Sequence, residues 1–389
     1  MRVLLATPRY PPAVGGVEWY AHMLARELTA IGITVAIACT DPSARTPFKE
    51  VRDGIVVRRF PTIAGDATFV VSPRLGSWLL RHAHEYDLLH AYSYHTPVPL
   101  LGAVAAAARR VPFIVSPFFH GTGHTSARAA LHVPYRVAAS WMLRRADAIV
   151  CASEAEVAML SARFPRLRTT PAVIPCGVDI DEVAMAGTVD PGGRPTVLGV
   201  GRLEPYKRMS RLVGAMAFLP AGTRAVLIGD GSERESILRM AQEGGLDDRF
   251  RSYTSVPRDE LLSWYRSADV FVSMSAHESF GIAILEAAVT GTRVVASDIP
   301  AHREVAGFLP AGAVTLVDPA ISDEGLARAI TDAATRGKVR DAAANVPTWQ
   351  DAARRTRAIY ETFSAGRSRI LPASRWLARP QGVRRHRKS

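Results

Sequence analysis

Hydrophobic and polar positions follow one pattern along this chain, and the pattern runs twice. In the first half, short apolar runs fall at 3–7, 34–38, 55–59, 88–91, 113–116, 148–152 and 170–174. Between most of them the apolar residues recur at helical spacing. In 17–31, for example, they are Tyr20, Met23, Leu24, Leu28 and Ile31. Strands this apolar, joined by helices, predict a parallel sheet covered on both faces. A Pro- and Gly-rich stretch at 188–195 then reads as a linker. After it the alternation restarts, with runs at 197–200, 225–228, 250–253, 270–274, 293–296 and 313–316. The prediction is an α/β chain of two doubly wound, Rossmann-like domains, 1–187 and 188–347, facing across a cleft. Ligands of such sheets bind beyond the carboxyl ends of the strands.

Composition sharpens this picture in one place. The 389 residues are 48% apolar and 22% charged, which excludes a largely disordered chain. Lys and Arg number 48 against 36 Asp and Glu, a balance of +12. That excess could serve nucleic acid, an anionic membrane or anionic ligands. Eight of the basic residues are Arg367, Arg369, Arg375, Arg379, Arg384, Arg385, Arg387 and Lys388, in a stretch with no Asp or Glu. Residues 1–365 therefore carry 40 − 36 = +4. The segment 366–389 reads as a solvated, flexible basic tail, or as one that meets an anionic bilayer with Trp376 and Leu377. Aromatic residues are too sparse beside it for a nucleic-acid platform, so no nucleic-acid partner is expected.

Cys39, Cys151 and Cys176 lie far apart, which favours neither a zinc site nor a disulfide framework and fits a reducing cytosol. The opening 1–7 is too short for a signal h-region. The longest apolar run, around 97–108, falls well short of the ~20 residues a membrane span needs. A cytoplasmic location is expected, with peripheral work on the inner face of the plasma membrane as an option.

The strongest chemical constellation is Ala276-His277-Glu278-Ser279-Phe280-Gly281-Ile282, running on to Glu286. It follows the run 270–274. Gly281 lets the backbone turn, and the free amides of a helix starting there suit a phosphate. Glu278 precedes that helix and Glu286 lies inside it. As bidentate acceptors, two such carboxylates can each hold a sugar. Gly201-Arg202 and Lys207 close the first strand of the second half. A guanidinium fork and a point charge together can neutralise a diphosphate leaving group without metal. Gly229-Asp230-Gly231 repeats the strand–turn–helix pattern, and glycines there let a ring or phosphate approach the backbone.

In the first half, Pro11-Pro12-Ala13-Val14-Gly15-Gly16-Val17-Glu18 opens a helix after the first strand. It is not G-x-G-x-x-G, so the dinucleotide fingerprint is absent, yet paired glycines make an anion-friendly loop. His120 sits just past the run 113–116, at its ligand end. Asp179-Ile180-Asp181 is a D-x-D, read here as turn chemistry and not as a metal site. Two helical stretches mix bulky apolar and basic residues. One holds Arg74, Leu75, Trp78, Leu79, Leu80 and Arg81. The other runs from Arg128 to Arg145, with Leu131, Val133, Tyr135, Trp141, Met142 and Leu143. Each is either packed on the sheet or an interfacial surface for a lipid-linked acceptor.

Taken together, the chain resembles a family 4 glycosyltransferase, of the retaining type with the GT-B fold (glycosyl transferases group 1). The matching residues are Gly15-Gly16, His120, Gly201-Arg202 with Lys207, Gly229-Asp230-Gly231 and Glu278-x7-Glu286. The likeness spans 1–363. It implies that the first domain takes the acceptor and the second a nucleotide sugar, GDP-mannose or a UDP-sugar, with no essential metal or other cofactor. By the same resemblance Arg202 and Lys207 would bind the donor diphosphate. The amides near Phe280, Gly281 and Ile282 would hold phosphate and hexose. Glu278 would bind hexose hydroxyls, Glu286 the ribose, and the backbone near Val256 the base. His120 would approach the hexose and the developing positive charge. A helix over 348–363 would cross back onto the first domain.

The implied activity is transfer of a hexose to a glycan or lipid-linked acceptor in envelope polysaccharide or glycolipid synthesis. A sugar-nucleotide epimerase or related phospho-sugar enzyme, and a non-catalytic nucleotide-sugar-binding partner, are the alternatives. Two departures stand out: Cys176 replaces the Asn common at its position, and 252–256 lacks the glycine common there.

Overall fold

The computed structural model describes residues 1–43, 46–63, 71–121, 126–189 and 192–364, with backbone only for 126–134 and 364. Two sheets carry the chain. The first contains β1 (Arg2–Thr7), β2 (Thr34–Asp41), β3 (Lys49–Arg52), β4 (Ile55–Pro61), β5 (Leu88–Tyr92), β6 (Phe113–Ser116), β7 (Ala148–Cys151) and β8 (Ala172–Val173). The second contains β9 (Thr196–Val200), β10 (Arg224–Ile228), β11 (Phe250–Tyr253), β12 (Val270–Ser273), β13 (Arg293–Ser297) and β14 (Val314–Val317).

Their orders are β3-β4-β2-β1-β5-β6-β7-β8 and β11-β10-β9-β12-β13-β14. Among the described strands only β3 runs antiparallel, against β4. The central strands are buried on both faces: Val3, Leu4, Leu5 and Ala6 have no exposed surface, nor do Ala225, Val226 and Leu227. That is why they read as unbroken apolar runs. Chain direction across each sheet reverses at one place, between β1 and β5 in the first and between β9 and β12 in the second. Such switch points are where ligands enter open α/β sheets.

The two halves share one apolar cluster, which includes Tyr20, Tyr92 and Val178 from the first and Phe271, Ile284 and Leu285 from the second. The helix Trp349–Ser364 lies against helix Gly16–Ala30. Trp349 meets Tyr20 edge to face at 5.4 Å. The Tyr360 hydroxyl stands 2.7 Å from His90 Nδ1 in β5. Entry into this helix needs Gly177, whose missing Cβ would fall 2.1 Å from the Trp349 amide nitrogen.

Polar ties fasten the first half to itself and then to the second. Arg26 pairs with Asp179 at 2.6 Å. Asp179 Oδ1 meanwhile caps the short helix Ile180–Ala184 by accepting from the Glu182 amide, so the D-x-D is used as turn chemistry. Glu304 accepts from the amides of Glu154 and Ala155 at 3.0 and 3.2 Å. It thereby supplies an anion to the positive end of helix Glu154–Arg163.

Candidate active site

The second switch point brings two loops together. One leaves β9 through Gly201 and Arg202 into the tight turn Pro205–Lys207. The other leaves β12 and ends at Gly281, the N-cap of helix Ile282–Val289. Gly281 has φ 109°, a conformation L side chains rarely adopt. The loops are joined where the Ala276 amide donates to the Tyr206 carbonyl at 2.7 Å. This brings Lys207 Nζ to 2.5 Å from Glu278 Oε1. Ser275 Oγ donates to the same oxygen at 2.8 Å. Burial pulls the Lys207 ammonium down, but the Glu278 carboxylate outweighs it and holds the amine above its ordinary value. Burial pushes Glu278 up, while Lys207, His302 and Ser275 together bring it below its ordinary value. Both groups are therefore charged at neutral pH.

Arg202 donates through Nη2 to the Tyr206 hydroxyl. The Tyr206 ring lies parallel to His120 at 5.2 Å and 10°. His120 in turn stacks on His95 at 4.1 Å. A column of three rings thus crosses from the loops after β5 and β6 to the loop after β9. His120 is further fixed from behind. Glu156 Oε1 accepts from the Phe119 amide at 2.6 Å, and Oε2 from the Ala152 amide at 2.7 Å. Burial pushes the Glu156 carboxyl up to about 8, against the pull of those two amides. Ser153 Oγ also donates to the Ser279 carbonyl at 2.5 Å, tying this region to the loop that carries Glu278.

Glu286 is buried inside helix Ile282–Val289. It pairs with Arg258 at 2.8 Å. Arg258 also pairs with Glu182 at 3.0 Å and lies 4.5 Å over the Trp19 ring. Val256 is half-buried just before helix Arg258–Ser267 and packs on the shared apolar cluster. Phe280 is buried and Ile282 half-buried.

Three expected ligand positions look different in place. The space over Gly229 is filled by the chain itself: a Cβ there would stand 1.9 Å from the Gly201 carbonyl oxygen. The glycine thus admits neighbouring backbone at close range. Asp230 is exposed and accepts from its own neighbour, the Gly231 amide, at 2.9 Å. Over Gly15 lies the Glu18 carboxylate, 2.1 Å from where a Cβ would be. Glu18 is held by Arg9 at 2.7 Å. The Glu18 carboxylate thus fills the side-chain direction at Gly15, while the space beside Gly16 is open.

Cys176 is buried, and burial pushes its thiol well up. Among the described residues, no cluster of three His, Cys, Asp or Glu side chains is placed to hold a metal ion. Tyr206, Arg258, Glu18, Glu156 and His302 were missed by the sequence reading. The signals for them were faint: an aromatic inside the Arg202–Lys207 loop, and single charged or imidazole groups near strand ends.

Two family models match the chain, "Glycosyltransferase Family 4" over 14–182 and "Glycosyl transferases group 1" over 182–345. A phosphatidyl-myo-inositol mannosyltransferase of Mycolicibacterium smegmatis is 30% identical, covering 94% of each chain. The chain is a family 4 glycosyltransferase. The enzyme's fold is GT-B, shared with sucrose-phosphate synthase of Thermosynechococcus elongatus (TM-score 0.70, 23% identity, 94% and 96% of the chains covered). It is also shared with Anabaena HepE crystallised with UDP-glucose (TM-score 0.68, 19% identity, 94% and 98% covered).

The stretches rich in apolar and basic residues divide in place. Leu75, Leu79, Met142 and Leu143 are core residues with no exposed surface. Trp78 packs on Phe60 at 5.5 Å and under Arg58. Tyr135 donates to the carbonyls of Tyr94 and Thr96. These face inward. Leu80, Val104, Val137 and Trp141 remain exposed. The side chains of Arg128, Leu131 and Val133, and the tail 366–389, lie outside the described residues. No described helix is long and apolar enough to cross a membrane.

Proposed function

We propose that the enzyme is a retaining, metal-independent hexosyltransferase using a nucleotide-diphosphate sugar. The observation that carries this is the Lys207–Glu278 pair beside the start of helix Ile282–Val289. It sets a cation for phosphate, a carboxylate for sugar hydroxyls and free helix amides side by side. That combination matches a sugar diphosphate and little else. Residues 188–347 would take the donor and 1–187 the acceptor, with 348–365 crossing back between them.

In the proposed reaction the anomeric carbon–oxygen bond breaks and its electron pair leaves with the diphosphate. Arg202, Lys207 and the helix amides stabilise that charge. The acceptor oxygen bonds the anomeric carbon from the face being vacated, and its proton passes to the departing phosphate oxygen. The anomer is therefore retained. Glu278 positions the hexose through its hydroxyls, and His120 stands against the positive charge developing on the ring. Glu286, released in part from Arg258, takes the ribose.

The donor carries GDP or UDP in this reading, and the HepE complex with UDP-glucose supports the second. The acceptor is a glycan or a lipid-linked sugar met at the inner face of a membrane. The exposed Leu80, Val104, Val137 and Trp141 lie on three neighbouring helices together with exposed Arg81, Arg109, Arg144 and Arg145. Apolar and basic residues together suit an anionic bilayer. The cytosol-facing surface is where such a donor is available.

The test is product analysis with GDP-mannose and UDP-glucose, with and without a crude lipid acceptor fraction. Transfer with retained configuration is expected, unaffected by chelator. Lys207→Ala and Glu278→Ala should each lose at least about a hundredfold in kcat/KM, the scale on which a transition-state charge contact acts. Conversion of the donor sugar without any acceptor would favour the epimerase reading. Tight donor binding with no turnover would favour the non-catalytic one.

A further inference from the structure

His302 sits on helix Pro300–Ala306, just beyond the carboxyl end of β13. It is completely buried. Its Nδ1 lies 2.8 Å from the Ser297 carbonyl oxygen and 3.2 Å from Ser297 Oγ. A carbonyl only accepts, so Nδ1 carries the hydrogen and donates it. The other nitrogen, Nε2, is then a lone-pair acceptor. It is buried and has no hydrogen-bond partner among the described residues. Buried polar atoms are normally satisfied, so an orphan of this kind asks for a ligand.

The orphan edge is turned toward the proposed donor site. Cδ2, bonded to Nε2, is the nearest atom to the empty side-chain position of Gly281, at 3.5 Å. Gly281 is the N-cap of the helix whose amides face the site. His302 also lies close enough to Glu278 and Lys207 for their charges to act on its titration. Burial, the larger influence, holds the imidazole below its ordinary value and hence neutral at pH 7. A neutral acceptor has nothing to offer a phosphate oxygen, which is itself an acceptor. A sugar hydroxyl has a hydrogen to give.

We propose that His302 Nε2 accepts a hydrogen bond from a hydroxyl of the transferred hexose, as a binding residue beside Glu278. The inference rests on the reading of this site as one for a nucleotide-diphosphate sugar. Its consequence is specificity: the donor must carry a hydroxyl at the position facing Nε2, and the nucleoside diphosphate alone leaves Nε2 unused.

The experiment is calorimetric titration of the full chain with UDP, UDP-glucose, GDP and GDP-mannose. Wild type, His302→Phe and His302→Gln are compared. The Phe variant keeps the ring and removes the acceptor; the Gln variant keeps an acceptor. The Phe variant should bind the preferred sugar nucleotide about tenfold more weakly, the worth of a lost hydrogen bond. Its affinity for the matching bare diphosphate should stay within about twofold, and Gln should recover most of the loss. Equal affinities in all three proteins would overturn the inference. So would equal losses for the sugar nucleotide and the bare diphosphate, or loss of diphosphate binding in both variants, since these mark a structural role. If wild type binds none of the four probes, the reading of the site fails first, and the inference falls with it.

Discussion

The ligand ends of the two sheets are built from similar glycine turns and differ in what fills them. At the end of β1 the Gly15–Gly16 turn carries the Glu18 carboxylate over its first glycine, locked by Arg9. At the ends of β9 and β12 the glycines serve backbone packing and helix geometry. Gly229 admits the Gly201 carbonyl, and Gly281 turns the chain into its helix. The charged groups there, Lys207 and Glu278, are satisfied mainly by one another. A pair of that kind can exchange partners with a ligand at little cost. The first half sets its ion pair over the glycine itself, and the second sets its pair beside a glycine-capped helix start. An ion pair set beside free helix amides is the arrangement expected of a site built before its ligand arrives.

Glycine substitutions test this contrast most severely. Gly229→Ala drives a Cβ into the Gly201 carbonyl and should cost about 4 kcal/mol, at the top of the range for single changes. Gly16→Ala points into open space and should stay within about 0.5 kcal/mol. Thermal melts of the two variants check this. Equal melting points would remove the distinction between the two turns.

Arg258→Ala sharpens it from another side. Arg258 holds Glu286, Glu182 and the Trp19 face at once, and so ties the second half to the first. Its loss leaves Glu286 buried without its cation and should cost about 3 kcal/mol in urea unfolding. A change below about 0.5 kcal/mol would show that the tie contributes nothing. The smallest effect is expected at the basic tail. Removing 366–389 should weaken binding to anionic liposomes several-fold, by about 1 kcal/mol per basic residue engaged, and leave melting unchanged. Unaltered liposome binding would locate any membrane contact on the exposed Trp141 face alone.

Much of the fold was legible because buried parallel strands read as continuous apolar runs, and all but one of the fourteen strands among the described residues was anticipated from them. The exception, β3, is Lys49-Glu50-Val51-Arg52, a short, largely exposed edge strand whose partner lies across a tight turn. Nothing in its composition separates it from a loop. The site was legible as separate motifs and not as a contact. Lys207 and Glu278 lie 71 residues apart. They meet because β9 and β12 are neighbours at the point where strand order reverses, and strand order is not written in periodicity. Arg258 and Glu18 were missed for the same reason, since each matters through a partner that only the fold supplies. At Gly15 and Gly229 the sequence marks a close approach without saying that Glu18 and the Gly201 carbonyl are what approach.

The central claim is that the loops after β9 and β12 hold the diphosphate of a nucleotide sugar through Lys207. It is tested most directly by titrating UDP and GDP into the wild-type chain and into Lys207→Ala, with both proteins shown folded by their melts. The account predicts that at least one nucleotide binds wild type and that Lys207→Ala binds it at least about tenfold more weakly, the worth of one charge-assisted contact. Undiminished binding by Lys207→Ala, or no binding of either nucleotide to wild type, would contradict it.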